Sequence, residues 1–410
     1  MHINVKRGMN MVIVKRTYRF RAYPSKGEQS TLNSQMYLCK ELYNLLLQKA
    51  QEKFKDTGKT FTKYDMNKWI TQYKKEHPEY KEIHSQVLQN VSDRMSKAYK
   101  NFFRRVKEKH NGGKQKVGFP RYKKFLSSLT YPQEGGFKIE RKIVELSKIG
   151  RINIVNHRAV EGTPKTVSIK KTKSGQWHVT ISVEKEDIPH FSNGKPHVGI
   201  DLGLINFVAL SDGKILQNAK VTKEQRKHLK NLQQDISRKV KGSHNRKKAV
   251  VKFARFSEHI IRIRNDLLHK VSHQFVNSYS FIAYEELGIA NMVRNHNLAK
   301  SISESSWGNF TQMLQYKAES AGCVAVGVNP QYTSMTCSEC GNIQEISLSQ
   351  RTFACEKCSY TKNRDINAAQ NILDRATEGH SGSNACGDGV RPSSWKAVAE
   401  EAGTIFGASR

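Results

Sequence analysis

Two cysteine couples, CSEC at 337–340 and CEKC at 355–358, are followed six residues later by RDINAA at 364–369, and this order decides how the chain is interpreted. Each C-x-x-C turn can direct two thiolates at one ion, and four thiolates at tetrahedral corners are typical of structural zinc. The fourteen residues between the couples suit a short hairpin. A dithiol redox pair is the alternative, but two couples at this spacing favour a Zn²⁺ site with no position open for water. Its predicted ligands are Cys337, Cys340, Cys355 and Cys358.

Three acidic residues are candidates for a second metal site: Asp201 in the sequence GIDLG, Glu285 after an apolar run, and Asp365 in RDINAA. Each has a simpler explanation, since Asp201 could cap a turn and Asp365 could be the N-cap of a helix at 366–375. A carboxylate that ends an apolar strand is costly unless it is paired or binds metal. Side chains alternate across a strand, so only one of Glu285 and Glu286 can face the side of Asp201. Three carboxylates on one sheet could hold two Mg²⁺ ions, with Mn²⁺ as a substitute, and activate water against a phosphodiester.

The charge of the chain predicts a polyanionic partner. Its 410 residues carry a formal net charge of +33, from 69 Lys and Arg against 36 Asp and Glu, and 17 Phe, 15 Tyr and 4 Trp are interleaved with them. This combination favours nucleic acid over simple solubility. No apolar run reaches the roughly 20 residues of a membrane span, so we expect no membrane partner. The seven cysteines do not resemble a disulfide framework, which indicates a reducing cytosol.

The hydrophobic pattern predicts an α/β multidomain protein. Residues 17–23 alternate as a short strand, 27–117 show helical spacing, and 119–187 return to strands, as in a β-barrel interrupted by helices. Strands at 197–200 and 207–210 then pair as a hairpin, and later strands alternate with helices. That order fits an RNase H-like layer of sheet and helix.

Further motifs make the chain resemble the transposon-encoded TnpB family, RNA-guided DNA endonucleases related to type V CRISPR effectors. The stretches that carry the resemblance are RFRAYP at 19–24, GFPRYK at 118–123, GIDLG at 199–203, EEL at 285–287, PQYTS at 330–334 and RDINAAQNIL at 364–373. The resemblance implies a RuvC-type two-metal site with Asp201, Glu285 and Asp365 as the catalytic acids. The family motif places its glutamate first in the triplet, which favours Glu285 over Glu286. Asn363 departs from the family, whose members often carry an acid at this position.

The resemblance also implies a domain plan. The expected parts are a first wedge-domain strand at 11–26, a helical recognition domain at 27–117, the wedge β-barrel at 118–192, a RuvC-like nuclease domain at 193–332, the zinc ribbon at 333–362, the last RuvC-like helix at 363–376 and a disordered tail at 377–410. The expected partners are a guide RNA from the transposon end and double-stranded target DNA beside a short motif. We expect a monomer in a prokaryotic cytoplasm, associated with the nucleoid. A catalytically silent RNA-guided repressor is the alternative function, and a DNA transposase is a further one.

Two basic segments are the predicted nucleic-acid contacts. The first combines charge with a stacking surface and comprises Arg121, Tyr122, Lys123 and Lys124. The second is a helical stretch whose charge could grip phosphates, with the residues Arg226, Lys227, Lys230, Arg238, Lys239, Arg246, Lys247 and Lys248. A solvated basic helix is the simpler alternative. Guide-dependent recognition leaves sequence reading to base pairing, so the protein needs mainly positive charge towards the backbone.

Overall fold

The computed structural model describes residues 12–113, 116–187, 194–217, 221–347 and 349–381, and these form two compact units. The first unit takes in the described residues up to 187 together with 221–271, and the second takes in 194–217 and those from 272 on. Within the first unit, the Ser174 hydroxyl donates a hydrogen bond of 2.7 Å to Oε2 of Glu258.

The first unit is built on a seven-stranded antiparallel sheet. Its strands are β1 (Val12–Tyr23), β2 (Ser128–Tyr131), β3 (Phe137–Ile139), β4 (Ile143–Leu146), β5 (Gly150–Val155), β6 (Thr163–Lys171) and β7 (Trp177–Asp187). Their spatial order, β2-β6-β7-β1-β5-β4-β3, leaves β2 and β3 at the edges, so the predicted barrel is only partly closed. β1 pairs with β7 along its length, and its alternate residues Tyr18, Phe20 and Ala22 are buried. This confirms the strand predicted at 17–23, which begins earlier than expected.

Helices follow β1 and precede the rest of the sheet, as predicted. They are α1 (Lys26–Thr57), α2 (Lys63–Glu76), a 3₁₀ turn at Pro78–Glu82 and α3 (Ser85–His110), and α4 (Lys223–Ser237) and α5 (His244–Ser278) come later in the chain. Ser25 and Glu28 cap α1 reciprocally, since each side chain accepts a hydrogen bond from the other's backbone N–H. Gly58 ends α1 with a left-handed φ of 65°. Gly58 therefore separates α1 from α2, and Pro78 begins the 3₁₀ turn that separates α2 from α3.

The second unit contains a five-stranded mixed sheet. Its elements are β8 (His197–Leu202), β9 (Asn206–Leu210), β10 (Ile215–Gln217), β11 (Phe281–Glu285), α6 (Ile289–Met292), α7 (Ala299–Ser305), α8 (Trp307–Ala321), β12 (Val324–Val328), β13 (Thr352–Ala354), β14 (Thr361–Asn363) and α9 (Arg364–Ser381). The spatial order of the sheet is β10-β9-β8-β11-β12, and β13 and β14 form a separate hairpin. β8, β9 and β10 are antiparallel, whereas β11 runs parallel to β8 and β12. The predicted order of a hairpin followed by strands alternating with helices is confirmed.

The last helix continues beyond its predicted end. The disordered tail was expected from residue 377, but α9 extends to Ser381. Thr377 lies within the helix, and its hydroxyl donates a hydrogen bond of 3.1 Å to the carbonyl of Leu373 one turn earlier. The rest of the predicted tail, 382–410, lies outside the described residues. None of the described helices is both long and apolar enough to span a membrane.

Candidate functional site

Two of the predicted acids lie level with each other at the carboxyl ends of neighbouring parallel strands. The pairing of β8 with β11 places Tyr284 opposite Ile200. One residue further along this register, Glu285 comes beside Asp201. Partners in a parallel pair point to the same face of the sheet, so both carboxylates lie on one side. Ligands commonly bind at the carboxyl ends of parallel strands where the sheet changes direction, and β8 is the strand where this sheet does so.

Glu286 lies on the opposite side of the sheet. A Cβ built on Gly327, the strand partner of Tyr284, would meet the Glu286 side chain, so Glu286 and Tyr284 share a face. That face packs towards α8, where Gln315 donates a hydrogen bond to the Tyr284 hydroxyl. The alternation of side chains therefore separates the two adjacent glutamates, and only Glu285 shares the face of Asp201.

Helix α9 covers the face that carries the two acids. A Cβ at Gly199 would lie 1.9 Å from the carbonyl oxygen of Ala369, so the helix backbone rests directly on β8 at this glycine. Gly199 and Asp201 are two residues apart and point to the same face. The first turn of α9 carries Asp365, whose Oδ2 accepts a hydrogen bond of 3.0 Å from the amide of Asn206 on β9. The close packing of α9 on β8 thus explains why position 199 of GIDLG is a glycine.

Asp365 is not the N-cap of α9, contrary to the simpler explanation of this residue. Oδ1 of Asn363 accepts the N–H groups of Asp365 at 3.0 Å and of Ile366 at 3.3 Å, so Asn363 caps the helix. The departure from the family pattern at position 363 therefore has a structural role. The Asp365 carboxylate is free of capping and instead contacts Asn206 and, at 3.5 Å, the guanidinium of Arg364.

The charges of Glu285 and Asp365 act on Asp201. Burial, and then the negative charges of Glu285 and Asp365, raise the pKa of Asp201 to about 8. Burial also raises the pKa of Glu285, against the opposing effects of the Thr333 hydroxyl and the Arg375 charge. Among the described residues, the three carboxylates do not form a group whose oxygens all lie within 4.8 Å of one another. Asp201 is the acid whose pKa is raised by the charges of both other acids.

The four predicted zinc ligands come together. Their sulfur atoms all lie within 4.8 Å of one another, with Cys337 to Cys358 at 3.7 Å and Cys340 to Cys355 at 3.6 Å. Tetrahedral zinc at Zn–S distances of about 2.3 Å requires sulfur separations of about 3.8 Å. Backbone N–H groups of Cys358 and then Lys357 lower the pKa of Cys355 to about 6, which favours the thiolate form that a metal needs.

Two knuckles of similar backbone hold these thiols. Gly341 follows the first couple with a left-handed φ of 71°, and Ser359 follows the second with a φ of 57°. The N–H of each returns to the carbonyl of the couple's first cysteine, at 3.0 Å in both knuckles. Phe353 between the couples is fully buried and packs with two of the cysteines. A glycine therefore makes the tight turn after the first couple, and a serine makes the same turn after the second.

The predicted nucleic-acid residues all lie in the first unit, and most are exposed. Arg246 is an exception, because its Nη1 donates to the carbonyls of Ile236 at 2.7 Å and Lys239 at 3.0 Å. It holds the turn after α4, and Lys239 pairs with Asp235 at 2.6 Å. These two side chains are thus used within the fold. Arg226 also donates a hydrogen bond from Nε to the carbonyl of Val221 at 3.2 Å. The other residues of the basic segment are exposed, namely Lys227, Lys230, Arg238, Lys247 and Lys248.

The first basic segment is fixed by a residue from α1. The Asn44 side chain accepts the N–H of Lys123 at 2.8 Å and donates to the Lys123 carbonyl at 3.0 Å. The neighbouring rings of Tyr122 and Phe125 are 55% and 70% exposed. A fixed backbone with exposed rings beside lysines is the arrangement that base stacking needs.

Sequence reasoning missed several residues that support the acids. They are Asn206, which bonds Asp365; Thr333, which bonds Glu285; and Asn367, Asn371 and Arg375, which bond the segment before the ribbon. The polar residues of α9 at spacing i, i+4 and i+8 were the available signal for the last three, because such residues share one side of a helix.

Comparison with known proteins identifies the families whose models this chain matches. The family described as "Probable transposase" matches residues 180–296, and "Cas12f1-like, TNB domain" matches 307–372. The first range contains Asp201 and Glu285, and the second contains the four ribbon cysteines and Asp365. Among solved structures, a cryo-EM complex of Cas12f1 with sgRNA and target DNA has a TM-score of 0.51 at 14% identity, covering 88% of this chain and 99% of that chain. At this identity the likeness concerns the fold alone.

Two bacterial proteins are similar over nearly their whole length. One, from Escherichia coli strain K12 and described as "Putative RNA-guided DNA endonuclease InsQ", is 30% identical over 394 residues, covering 91% of this chain and 94% of that protein. Another of the same description without the name InsQ, from Streptomyces pristinaespiralis, is 31% identical over 389 residues, covering 92% of each. Identity at this level over whole chains shows common family membership. This chain therefore belongs to the TnpB family of RNA-guided DNA endonucleases, the family that its motifs resemble.

Proposed function

We propose that this protein is an RNA-guided, metal-dependent endonuclease that cuts double-stranded DNA beside a short motif, using a guide RNA from the transposon end. The observation that carries the proposal is the placement of Asp201 and Glu285 on one face of the sheet, under the helix whose first turn carries Asp365. A structural role does not account for such a cluster, because each buried carboxylate raises the free energy of its neighbours' charged forms. Divalent cations would remove that repulsion.

The donor set fits magnesium. Three carboxylates supply hard oxygen ligands, the type that Mg²⁺ prefers, and no thiol or imidazole is needed. Because the oxygens of the three acids do not all lie within 4.8 Å of one another, we propose that Asp201, Glu285 and Asp365 would together hold two ions rather than one. When bound, paired divalent ions activate water and stabilise the leaving oxygen of a phosphodiester.

Residues around the acids hold the carboxylates in position. α9 resting on Gly199 fixes the position of Asp365, and Asn206 orients one of its oxygens. Gln217 in turn donates to Oδ1 of Asn206 at 3.1 Å, which sets the orientation of that amide. Burial of Glu285, at 8% exposure, excludes much of the water that would otherwise screen its charge. We assign this five-stranded sheet to the RNase H-like class and the site to the RuvC type.

We propose zinc for the four cysteines, since their spacing fits its tetrahedral geometry. We also propose the domain roles implied by the family: a wedge for the seven-stranded sheet and a recognition element for α1 to α3. The exposed members of the two basic segments are the proposed contacts to RNA and DNA backbones, with Tyr122 as a stacking residue.

The first test is cleavage by the protein purified with its own RNA. We expect sequencing of that RNA to give a transcript that ends in unrelated guide sequence, and a DNA matching this guide to be cut only when Mg²⁺ or Mn²⁺ is added. Absence of bound RNA would contradict the proposal. A matched target that is bound but never cut would favour the repressor.

The adjacent glutamates provide a matched pair for assigning the site. Glu285→Gln is expected to lower the cleavage rate by about 100-fold, since loss of one fixed electrostatic group typically costs about 10²–10³ in kcat. Glu286→Gln should stay within about threefold of the parent, because its side chain lies on the other face of the sheet. Single-turnover cleavage of a matched duplex measures both. The reverse ranking would show that the register places the wrong glutamate in the site.

A further inference from the structure

The segment at 329–338, here called the strap, connects β12 to the first cysteine couple and is held along its length by one side of α9. Asn367 donates to the Thr336 carbonyl at 2.7 Å, and Asn371 donates to the Thr333 carbonyl at 2.8 Å. Arg375, one turn further, donates to the carbonyl of Asn329 at 3.1 Å. Because residues four apart lie on the same side of a helix, these three side chains form one row that fixes the strap.

Thr333 is the strap residue that reaches the acid cluster. Its side chain is 3% exposed, and its hydroxyl donates a hydrogen bond to Oε1 of Glu285. The carbonyl of Pro330, at 3.1 Å, is a second acceptor for the same hydroxyl. Since Asn371 holds the Thr333 backbone, the hydroxyl has a fixed direction towards the carboxylate. An adjacent side of α9 packs Ile372 and Ala376 onto β11, so one helix holds both the strap and the sheet.

We infer that Thr333 is a positioning residue, whose hydroxyl fixes one oxygen of Glu285 so that the other remains turned towards a divalent cation. This rests on the proposed function, because it takes Glu285 as a metal ligand. A hydroxyl donor favours the ionised carboxylate and restricts its rotation. Groups that hold a metal ligand in this way typically contribute 10–100-fold to metal affinity or activity.

Three variants separate positioning from packing. Thr333→Val keeps the shape of the side chain and removes the hydroxyl, Thr333→Ser keeps the hydroxyl, and Ser334→Ala changes the exposed neighbour as a control. Binding of Mn²⁺ to the full protein–RNA complex is measured by electron paramagnetic resonance of the free ion. Ions bound to RNA are accounted for by subtracting the binding curve of the Asp201→Asn complex. We expect Thr333→Val to weaken the remaining Mn²⁺ binding by about 10–100-fold, and the other two variants to stay within about threefold of the parent.

Unchanged Mn²⁺ affinity in Thr333→Val would overturn the inference, even if its melting temperature fell, because that result describes packing alone. If Thr333→Val does not fold, Thr333→Ala removes the same hydroxyl with less crowding and is judged by the same affinity. Failure of the proposed function has a different signature. In that case the parent and Asp201→Asn complexes bind equal Mn²⁺, and both the metal site and the role of Thr333 are rejected.

Discussion

Replacing Asp201 by asparagine is expected to abolish cleavage and, in the same protein, to raise the thermal stability of the form without magnesium. Asp201 is the acid that both neighbours repel, and burial with these charges raises its pKa to about 8. Asparagine has a similar shape and no charge, so it removes the repulsion together with the proposed metal ligand. We expect cleavage to fall by about 1,000-fold or more, beyond the 10²–10³ typical for a single electrostatic group.

The gain in stability should depend on pH. In the unfolded chain Asp201 loses its proton near the ordinary aspartate pKa of 3.8, whereas in the folded protein it keeps the proton until about pH 8. Between these values the folded state binds more protons than the unfolded state, so this group's contribution to the free energy of unfolding falls as pH rises. The advantage of Asn over Asp should therefore grow from about pH 4 to pH 8 and then level off. Its size is on the order of a few kcal/mol, since one pKa unit corresponds to about 1.4 kcal/mol.

Asp212→Asn is the matched control for this experiment. Burial alone would raise the pKa of Asp212, but the hydrogen bonds that its carboxylate accepts from Lys214 and Tyr279 lower that pKa instead. The contribution of the Asp212 carboxylate to stability is present above its unfolded pKa and is lost in acid. Asp212→Asn should therefore be slightly less stable than the parent at pH 8, and it should still cut DNA. Thermal melts at several pH values measure the stability of both variants. Mg²⁺ is first removed by gel filtration, and the zinc content is then checked. An Asp201→Asn protein no more stable than its parent at pH 8 would contradict the described environment of Asp201.

Most of the secondary structure could be predicted from the sequence because its determinants are local. Alternation in β1, the capping box of Ser25 and Glu28, and the left-handed turn at Gly58 each depend on residues close together in the chain. The cysteine couples belong to the same class, since C-x-x-C fixes two ligands through one turn. Their meeting at one point required only that the intervening hairpin be short.

The supporting residues of the acid cluster could not be predicted because their roles depend on distant partners. Nothing local distinguishes Asn206 from other polar residues at the start of a strand, yet its amide lies 3.0 Å from Asp365, far along the chain. The role of Gly199 likewise depends on the backbone of α9 reaching β8. The simpler explanation of Asp365 as an N-cap is wrong for a related reason. Asn363, two residues earlier, accepts the N–H groups of Asp365 and Ile366, so the helix already begins at Arg364.

Loss of zinc is expected to disable the protein at a distance from the cysteines. Cys355→Ser removes one of the four proposed zinc ligands, and structural zinc in isolated fingers supplies an apparent binding free energy of about 10–16 kcal/mol. Without the ion, little else holds the knuckles, because only Phe353 and a few neighbours form the local core. The N–H of Ser338, between the first two cysteines, donates to Asn367 of α9 at 3.0 Å. Disorder in the ribbon would therefore loosen the strap and, through Thr333, the position of Glu285.

We accordingly expect Cys355→Ser to contain less than one zinc per chain, to bind Mn²⁺ at least about 10-fold more weakly, and to cut correspondingly slowly. Cys323→Ala is the control, because this cysteine is also buried in the second unit but is not one of the four. Colorimetric zinc determination after unfolding gives the metal content, and thiol labelling gives the number of protected cysteines.

A redox pair would behave differently, since mild oxidation would form a disulfide without metal loss. Full Mn²⁺ affinity in a zinc-free variant would show that the ribbon and the acid cluster are independent, because the strap is the connection through which loss of the ion is expected to reach Glu285.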